Sequence, residues 1–372
     1  MRIACIHQGY ELYGSDRSFV ETVGIMRETF PDAELTVVLP RPGPIVPLLE
    51  PLADRIDYEA LWILRRKGFA RLATFGLLRL PLALLRAARR FADCDLVYIN
   101  TTVVADHLIA ARAFPGRALL HVHEIPQGLT LALLRRLVLW SRAEVVFNSQ
   151  ATRTAFAPMP AGRTQVIYNG VGGPAAALPR HYDGIRRLRV LMLGRISRIK
   201  GQDVLLDALA LMPEASRRRI SLRIVGSAFE DPEREAALDR RIAGSAATLE
   251  IERLPFAQDP DPHYRWADIV VVPSRLPESL GRVAIEAMAY GRPPLVSAIG
   301  GLAEVVEHGR TGWCVEPDRP ECLAAALAAI VEGTTPWDGF PEAARRRYEA
   351  LFTIDAARRG WSGLLAARAP RP

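Results

Sequence analysis

The sequence predicts an α/β protein built from two doubly wound, Rossmann-like domains. Short apolar, β-branched runs alternate with helical stretches along most of the chain, the pattern of parallel strands covered by helices on both faces. The alternation lapses between residues 172 and 188, where Gly, Pro, Ala and Arg follow one another without periodicity, and then restarts. A length of 372 residues also suits two domains better than one. The expected organisation is therefore a first domain over residues 1–172, a linker over 173–188 and a second domain over 189–341.

In the first domain, strands are expected at 3–7, 35–39, 96–100, 118–123, 145–148 and 166–168, with helices at 18–29, at 46–53 and through Asp106 and His107. The loop after the first strand carries Gly9 and Gly14 and leads into a helix, so it lies at the carboxyl edge of the sheet, where open α/β sheets bind ligands. It is neither a G-x-G-x-x-G nor a Walker A loop, so the combination of that glycine pattern with an acidic residue about 20 positions later is missing. This argues against a nicotinamide-dependent dehydrogenase.

Residues 61–91 are strongly basic, apolar on one helical face and free of acidic side chains, with a break expected at Arg79 and Pro81. Such a stretch suits the surface of an anionic membrane, and equally a pair of core helices with solvated arginines. In LLHVHEIP, His121 and His123 alternate onto one strand face with Glu124 turned away. No spacing supplies a third metal ligand, so a structural pair is preferred to a metal site. Asn100 and Thr101 end a strand on the same edge and could line an acceptor pocket.

The second domain repeats the alternation, with strands at 189–193, 222–225, 249–251, 269–272, 295–297 and 313–315. Helices are expected at 203–211, at 233–243, from about Gly281, and at 302–307. Arg195 and Lys200 stand in the loop after its first strand, a basic pair suited to a diphosphate. Lys67 and Lys200 are the only lysines among 48 basic residues, so an ammonium at this position is not background usage. Glu278 lies in the loop between the 269–272 strand and the following helix, whose N-terminal N–H groups, from Leu280, Gly281 and Arg282, suit an anion. Glu286 lies on that helix among Ala284, Ile285, Ala287 and Met288, where a carboxylate needs a partner: either a nearby arginine or a ligand hydroxyl.

Glu278 and Glu286, within P-E-S-L-G-R-V-A-I-E-A-M-A-Y-G-R-P, resemble the E-x7-E signature of the family-four retaining nucleotide-sugar glycosyltransferases, which adopt the two-domain GT-B fold. Gly300-Gly301 followed by Glu304 is similar to the family's glycine turn before a helix, and L-G-R-I-S-R-I-K-G at 193–201 is similar to its G-R-x4-K-G. The resemblance extends along essentially the whole chain. It implies two domains facing across a cleft and transfer of a sugar from a nucleoside-diphosphate donor, with retention of anomeric configuration and without a metal cofactor. Arg195, Lys200 and the backbone at Ser279, Leu280, Gly281 and Arg282 would then hold the diphosphate, with Gly14 approaching it from the first domain. Glu278 would hold the donor sugar, Glu286 the ribose, and His123 the sugar or acceptor.

The sequence departs from the family pattern at Leu254-Pro255-Phe256, which leaves the base open, and at Ser279-Leu280, where Gly-Phe is common. Asp93-Cys94-Asp95 and Asp259-Pro260-Asp261 are D-x-D only in spelling. The resemblance also implies that a C-terminal helix over about 342–372 packs back on the first domain.

Composition constrains the remaining classes. With 49% hydrophobic and 24% charged residues, the chain reads as globular. Cys5, Cys94, Cys314 and Cys322 are scattered, which fits a reducing cytoplasm rather than a disulfide framework. The opening MRIACIHQGY lacks the apolar core of a signal peptide, and no run approaches the ~18 apolar residues of a spanning helix. A net charge of +7 does not point to nucleic acid, because the basic residues are not interleaved with aromatics and no recognition motif appears. The expected partners are a nucleotide sugar and a glycan or lipid-linked acceptor, with an anionic membrane surface nearby. A non-catalytic, membrane-associated nucleotide-binding protein is the competing class.

Overall fold

The computed structural model describes residues 1–12, 14–64, 77–160, 162–176, 180–228, 231–245, 249–335, 337–366 and 368. The chain divides into two compact units, Met1–Gly170 with Ile354–Pro372 and Val171–Thr353. Each is built on one parallel sheet. The first unit contains β1 (Arg2–His7), β2 (Glu34–Leu39), β3 (Arg55–Tyr58), β4 (Leu96–Asn100), β5 (Ala118–Val122), β6 (Glu144–Phe147) and β7 (Thr164–Val166). They lie in the order β3-β2-β1-β4-β5-β6-β7, every pair parallel. The second contains β8 (Leu188–Leu193), β9 (Ile220–Val225), β10 (Glu250–Leu254), β11 (Ile269–Val272), β12 (Pro294–Ser297) and β13 (Trp313–Val315), in the parallel order β10-β9-β8-β11-β12-β13.

Both orders reverse direction once, between β1 and β4 in the first sheet and between β8 and β11 in the second. At such a switch point the loops leaving the two central strands diverge to opposite faces and open a crevice at the carboxyl edge. Gly14 opens the helix that follows β1 and Thr101 follows β4, while the loops after β8 and β11 carry Arg195, Lys200 and Glu278. Topology alone therefore places most of the sequence-predicted site residues at the two positions where this architecture binds ligands.

The central strands are buried on both faces, which is why they read as unbroken apolar runs: β4 and β11 are buried at every position. The short strand β3 and the helices Gly128–Ser141, Gln150–Phe156, Asp261–Trp266 and Pro320–Glu332 were not expected from the sequence. Pro81 stands inside the helix Leu77–Asp93 and does not break it. Its missing N–H forfeits the bond to the Leu77 carbonyl, and the helix nevertheless runs on to Asp93. Residues 65–76 of the basic segment lie outside the described residues.

The domain limits also need correction. The expected helix over 342–372 is two helices, Phe340–Leu351 and Ile354–Ala366, and only the second belongs to the first unit. Arg345 holds the earlier one in the second unit, donating to the carbonyls of Pro174 at 3.0 Å, Ala175 at 3.2 Å and Ala289 at 2.5 Å. Tyr348 adds a 2.8 Å bond to the Val171 carbonyl. The later helix inserts Trp361 into the first unit's core beside Tyr98 and His121. The first division therefore falls after Gly170 rather than at 172, and much of the expected linker belongs to the second unit.

Candidate active site

In the second unit the loops after β8 and β11 are bound to one another. The Arg275 N–H donates to the Ile199 carbonyl at 2.8 Å, and the Arg275 guanidinium bridges Asp203 and Asp318. This closes the strand-end loops around two side chains of opposite charge. Lys200 Nζ stands 2.8 Å from Glu278 Oε1, and Ser274 Oγ donates to the same oxygen. Lys200 is one-quarter exposed and Glu278 about one-eighth, so the pair is sheltered yet reachable. Gln202 donates to the Arg195 carbonyl at 3.0 Å, while the Arg195 side chain is exposed.

The glycine turn at 300–301 explains how the Glu278 loop is held. The Gly301 N–H donates to the Glu278 carbonyl at 2.7 Å, and Gly300 pairs with Glu278 as an isolated parallel bridge. A Cβ on Gly301 would overlap the backbone of Ser279 and Leu280, and one on Gly300 would overlap that of Glu278. Gly281 takes φ +88° as the N-cap of the helix Arg282–Ala289, a conformation that favours glycine. Backbone thus packs on backbone, and the Ser279–Arg282 segment is set at the helix N-terminus, where the dipole favours negative charge.

Glu286 is paired within the protein. Arg282 Nε donates to its Oε1 at 2.9 Å and Tyr264 Oη to its Oε2 at 2.7 Å. Burial, and then the Glu286 carboxylate, hold the Tyr264 phenol well above its ordinary range, so Tyr264 stays a donor. Tyr264 is fully buried and stacked on Tyr290, with ring centroids 5.1 Å apart. The arginine partner expected for a buried carboxylate is present, and about one-sixth of the Glu286 side chain remains exposed.

In the first unit the polar residues form a chain. His123 Nε2 lies 2.6 Å from Asn100 Oδ1 and its Nδ1 lies 3.3 Å from Asn169 Nδ2. Asn100 Nδ2 reaches His7 Nδ1 at 2.9 Å, and His7 Nε2 meets Asp16 Oδ1 at 2.7 Å. Burial, and then the nearby His7, push His123 down to about 3, so the ring is neutral at physiological pH.

Two acceptor-pocket expectations are corrected here. Asn100 is fully buried and touches His123, so any effect it has on an acceptor passes through that ring. The Thr101 hydroxyl is committed to Glu124 at 2.6 Å, in a backbone held at φ +90°. Glu124 also accepts from Thr102 N–H at 2.8 Å and His123 N–H at 2.9 Å, which pins the end of β5 to the end of β4. Gly14 is exposed in the first turn of the helix Gly14–Thr29. Among the described residues no three His, Cys, Asp or Glu side chains are grouped as metal ligands.

Sequence reasoning missed His7, Asp16, Ser274, Tyr264 and the partnership of Glu124 with Thr101. His7 ends a strand at the carboxyl edge, which is a signal; the others are tertiary contacts that no local pattern announces.

Known proteins resemble this chain in the sequence of its second unit and in its fold. Residues 187–333 match the family model described as Glycosyl transferases group 1. A D-inositol 3-phosphate glycosyltransferase from Jonesia denitrificans is 35% identical over 170 residues, covering 45% of this chain and 40% of the relative. One from Thermobispora bispora is 34% identical over 221 residues, covering 56% of this chain and 49% of the relative. The chain therefore spans less than half the length of these curated relatives. The crystal structure of Anabaena Alr3699/HepE in complex with UDP and glucose superimposes with a TM-score of 0.79 at 24% identity, covering 99% of this chain and all of that one. Residues 187–333, in the second unit, are thus similar to group 1 glycosyl transferases, and the chain as a whole has the two-domain GT-B fold.

Proposed function

We propose that this protein transfers a sugar from a nucleoside-diphosphate donor to a glycan or lipid-linked acceptor, with retention of anomeric configuration and without a metal. The observation that carries this reading is the Lys200–Glu278 pair, at 2.8 Å, set beside a helix N-terminus at the switch point of the second sheet. As the sugar–phosphate bond breaks, negative charge gathers on the departing diphosphate. Lys200, Arg195 and the backbone at Ser279–Arg282 would offset that charge. Lys200 then exchanges its internal partner for phosphate, which frees Glu278 to accept hydrogen bonds from donor-sugar hydroxyls. Glu286, oriented by Tyr264 and Arg282, would take the ribose hydroxyls, and His123 a hydroxyl of the transferred sugar or the acceptor. Uridine is the first base to test, since the HepE structure contains UDP.

An anionic membrane surface is the proposed setting, on the cytoplasmic side. The helix Leu77–Asp93 exposes Leu78, Leu82 and Leu85 beside Arg79, Arg86 and Arg89. Gly128–Ser141 exposes Leu129, Leu133 and Trp140 and carries no acidic residue. Apolar side chains flanked by arginines suit an interface where tails and phosphates meet. Among the described residues no helix is long and apolar enough to cross a membrane.

The test is a thermal-shift panel of UDP, GDP, ADP and their sugar conjugates, with EDTA, on the wild type and Lys200→Ala. Stabilisation by one diphosphate that survives EDTA and weakens in the variant is expected. A folded protein indifferent to all of them would overturn the reading. Proton NMR of the first product formed from an active pair then reports its anomeric configuration.

A further inference from the structure

The proposed function gives His123 a ligand to hold but does not say which of its nitrogens is available. We infer that His7 and Asp16, acting through the Asn100 amide, set His123 as an Nε2-protonated imidazole that offers a hydrogen-bond-accepting Nδ1. They are positioning residues.

The assignment follows from donor and acceptor capacity along the chain. An ionised Asp16 carboxylate can only accept, so His7 Nε2, 2.7 Å away, carries a hydrogen. His7 is fully buried and stacked on Phe19 at 4.5 Å; Asn100 Nδ2, which can only donate, stands 2.9 Å from its Nδ1, so that nitrogen accepts and carries no hydrogen. That contact fixes the amide orientation, so Asn100 presents Oδ1 on its other side. Oδ1 has two lone pairs and two neighbours, Tyr98 Oη at 3.0 Å and His123 Nε2 at 2.6 Å. Both donate. His123 Nδ1 is left as the acceptor, facing Asn169 Nδ2 at 3.3 Å. That contact is long for an N–H···N bond, so a sugar hydroxyl can compete for the same lone pair.

A neighbouring side chain supports the same assignment. If Tyr98 gives its hydrogen to Asn100, then His121 Nδ1, 2.8 Å from the Tyr98 oxygen, must be the donor there. His121 Nε2 would then be a bare nitrogen, and it is buried without a partner. An unpartnered acceptor is easier to bury than an unpartnered N–H. The site is also shaped around the first link of the chain, because a Cβ on Gly9 would overlap both Asp16 Oδ1 and His7 Nε2.

The inference rests on the proposed role of His123 only for its consequence. The proton positions themselves can be read without substrate. In protein labelled with 15N in the histidine rings, two-bond 1H–15N correlation at pH 7 is expected to show His123 as the neutral Nε2–H form and His7 likewise. His7→Phe removes the acceptor that orients Asn100, so His123 should move toward the Nδ1–H form or a mixture. Asp16→Ala should do so in part, whereas Asp16→Asn, which can still accept through Oδ1, should restore the wild-type pattern. A His7 imidazolium, an Nδ1-protonated His123 in the wild type, or a His123 pattern unchanged in His7→Phe would each overturn the inference. Where an active donor–acceptor pair is found, Asp16→Ala should raise KM at least fivefold for the substrate whose hydroxyl meets Nδ1, with kcat less affected. Equal loss in Asp16→Asn and Asp16→Ala would also overturn it. Expected spectra with no transfer from any donor would count against the proposed function and leave the proton assignment standing.

Discussion

At the residue scale, the ion pair between Lys200 and Glu278 was readable in part. Each residue stood in a motif whose chemistry could be argued, but their 2.8 Å contact depends on two loops that lie more than seventy residues apart in sequence. Removing the ammonium should lower kcat/KM for transfer by about 10²–10³-fold, the usual loss when one preorganised charge-stabilising donor disappears. Initial rates for Lys200→Ala and Lys200→Arg would check this, with Arg only a partial rescue because its fork does not reproduce a point charge. His123 makes a second prediction. Its folded-state pKa, held at about 3, lies below the ordinary value of about 6.5. Below pH 6.5 the unfolded chain therefore binds a proton that the native chain does not, and stability falls as the pH is lowered from there toward 3. Urea titrations at pH 7, 5 and 4 should show His123→Gln losing less stability than the wild type over this range. Equal acid sensitivity would mean the ring is not held neutral.

At the element scale, the helix Arg282–Ala289 and the strand before it were legible because a buried parallel strand reads as an apolar run and the helix restores a three-to-four-residue period. The glycines at 300 and 301 were visible as a motif, and the structure supplies their reason: the turn lies against the Glu278–Leu280 backbone. Gly301→Ala should cost about 1–3 kcal/mol, because the methyl meets main chain that cannot swing aside. The same variant should weaken diphosphate binding by displacing the helix entry. A thermal melt paired with a diphosphate titration measures both, and an unchanged affinity would remove this turn from the site. The basic helix is legible as an amphipathic face, whereas the break expected at Arg79 and Pro81 does not occur, because a face buried through Ala83, Ala87 and Phe91 carries the helix past one lost hydrogen bond. The polar chain from Asp16 to His123 was not legible, since its members come from the ends of three strands and one helix.

At the scale of the whole molecule, the two-domain plan was legible and its limits were not, because the chain leaves the first unit at Gly170 and returns at Ile354. The returning helix Ile354–Ala366 was expected to come back, but its start was placed too early: nothing local distinguishes Phe340–Leu351, tied down by Arg345, from its successor. That return makes the first unit depend on residues beyond the second. Trp361 is 1% exposed, meets Tyr98 edge-on at 5.9 Å and His121 at 5.1 Å, and is joined in the same core by Leu364 and Leu365. Arg358 adds a surface pair to Glu28. Burying each of the three large apolar side chains is worth about 1.5–3 kcal/mol, so together they approach the whole stability of an ordinary domain, about 5–15 kcal/mol. A chain ending at Thr353 should therefore lose the cooperative unfolding transition of the first unit while keeping that of the second, whose core of β8–β13 and surrounding helices is untouched. Calorimetry on the full and shortened chains would show this. If nucleotide binding belongs to the second unit, UDP should still raise the remaining transition, while the His123 environment, whose ring lies 3.8 Å from His121, should lose its fixed protonation. A shortened chain that retained both transitions would mean the helix merely decorates the first unit, and Trp361 would then have to be replaced in the core by some other side chain.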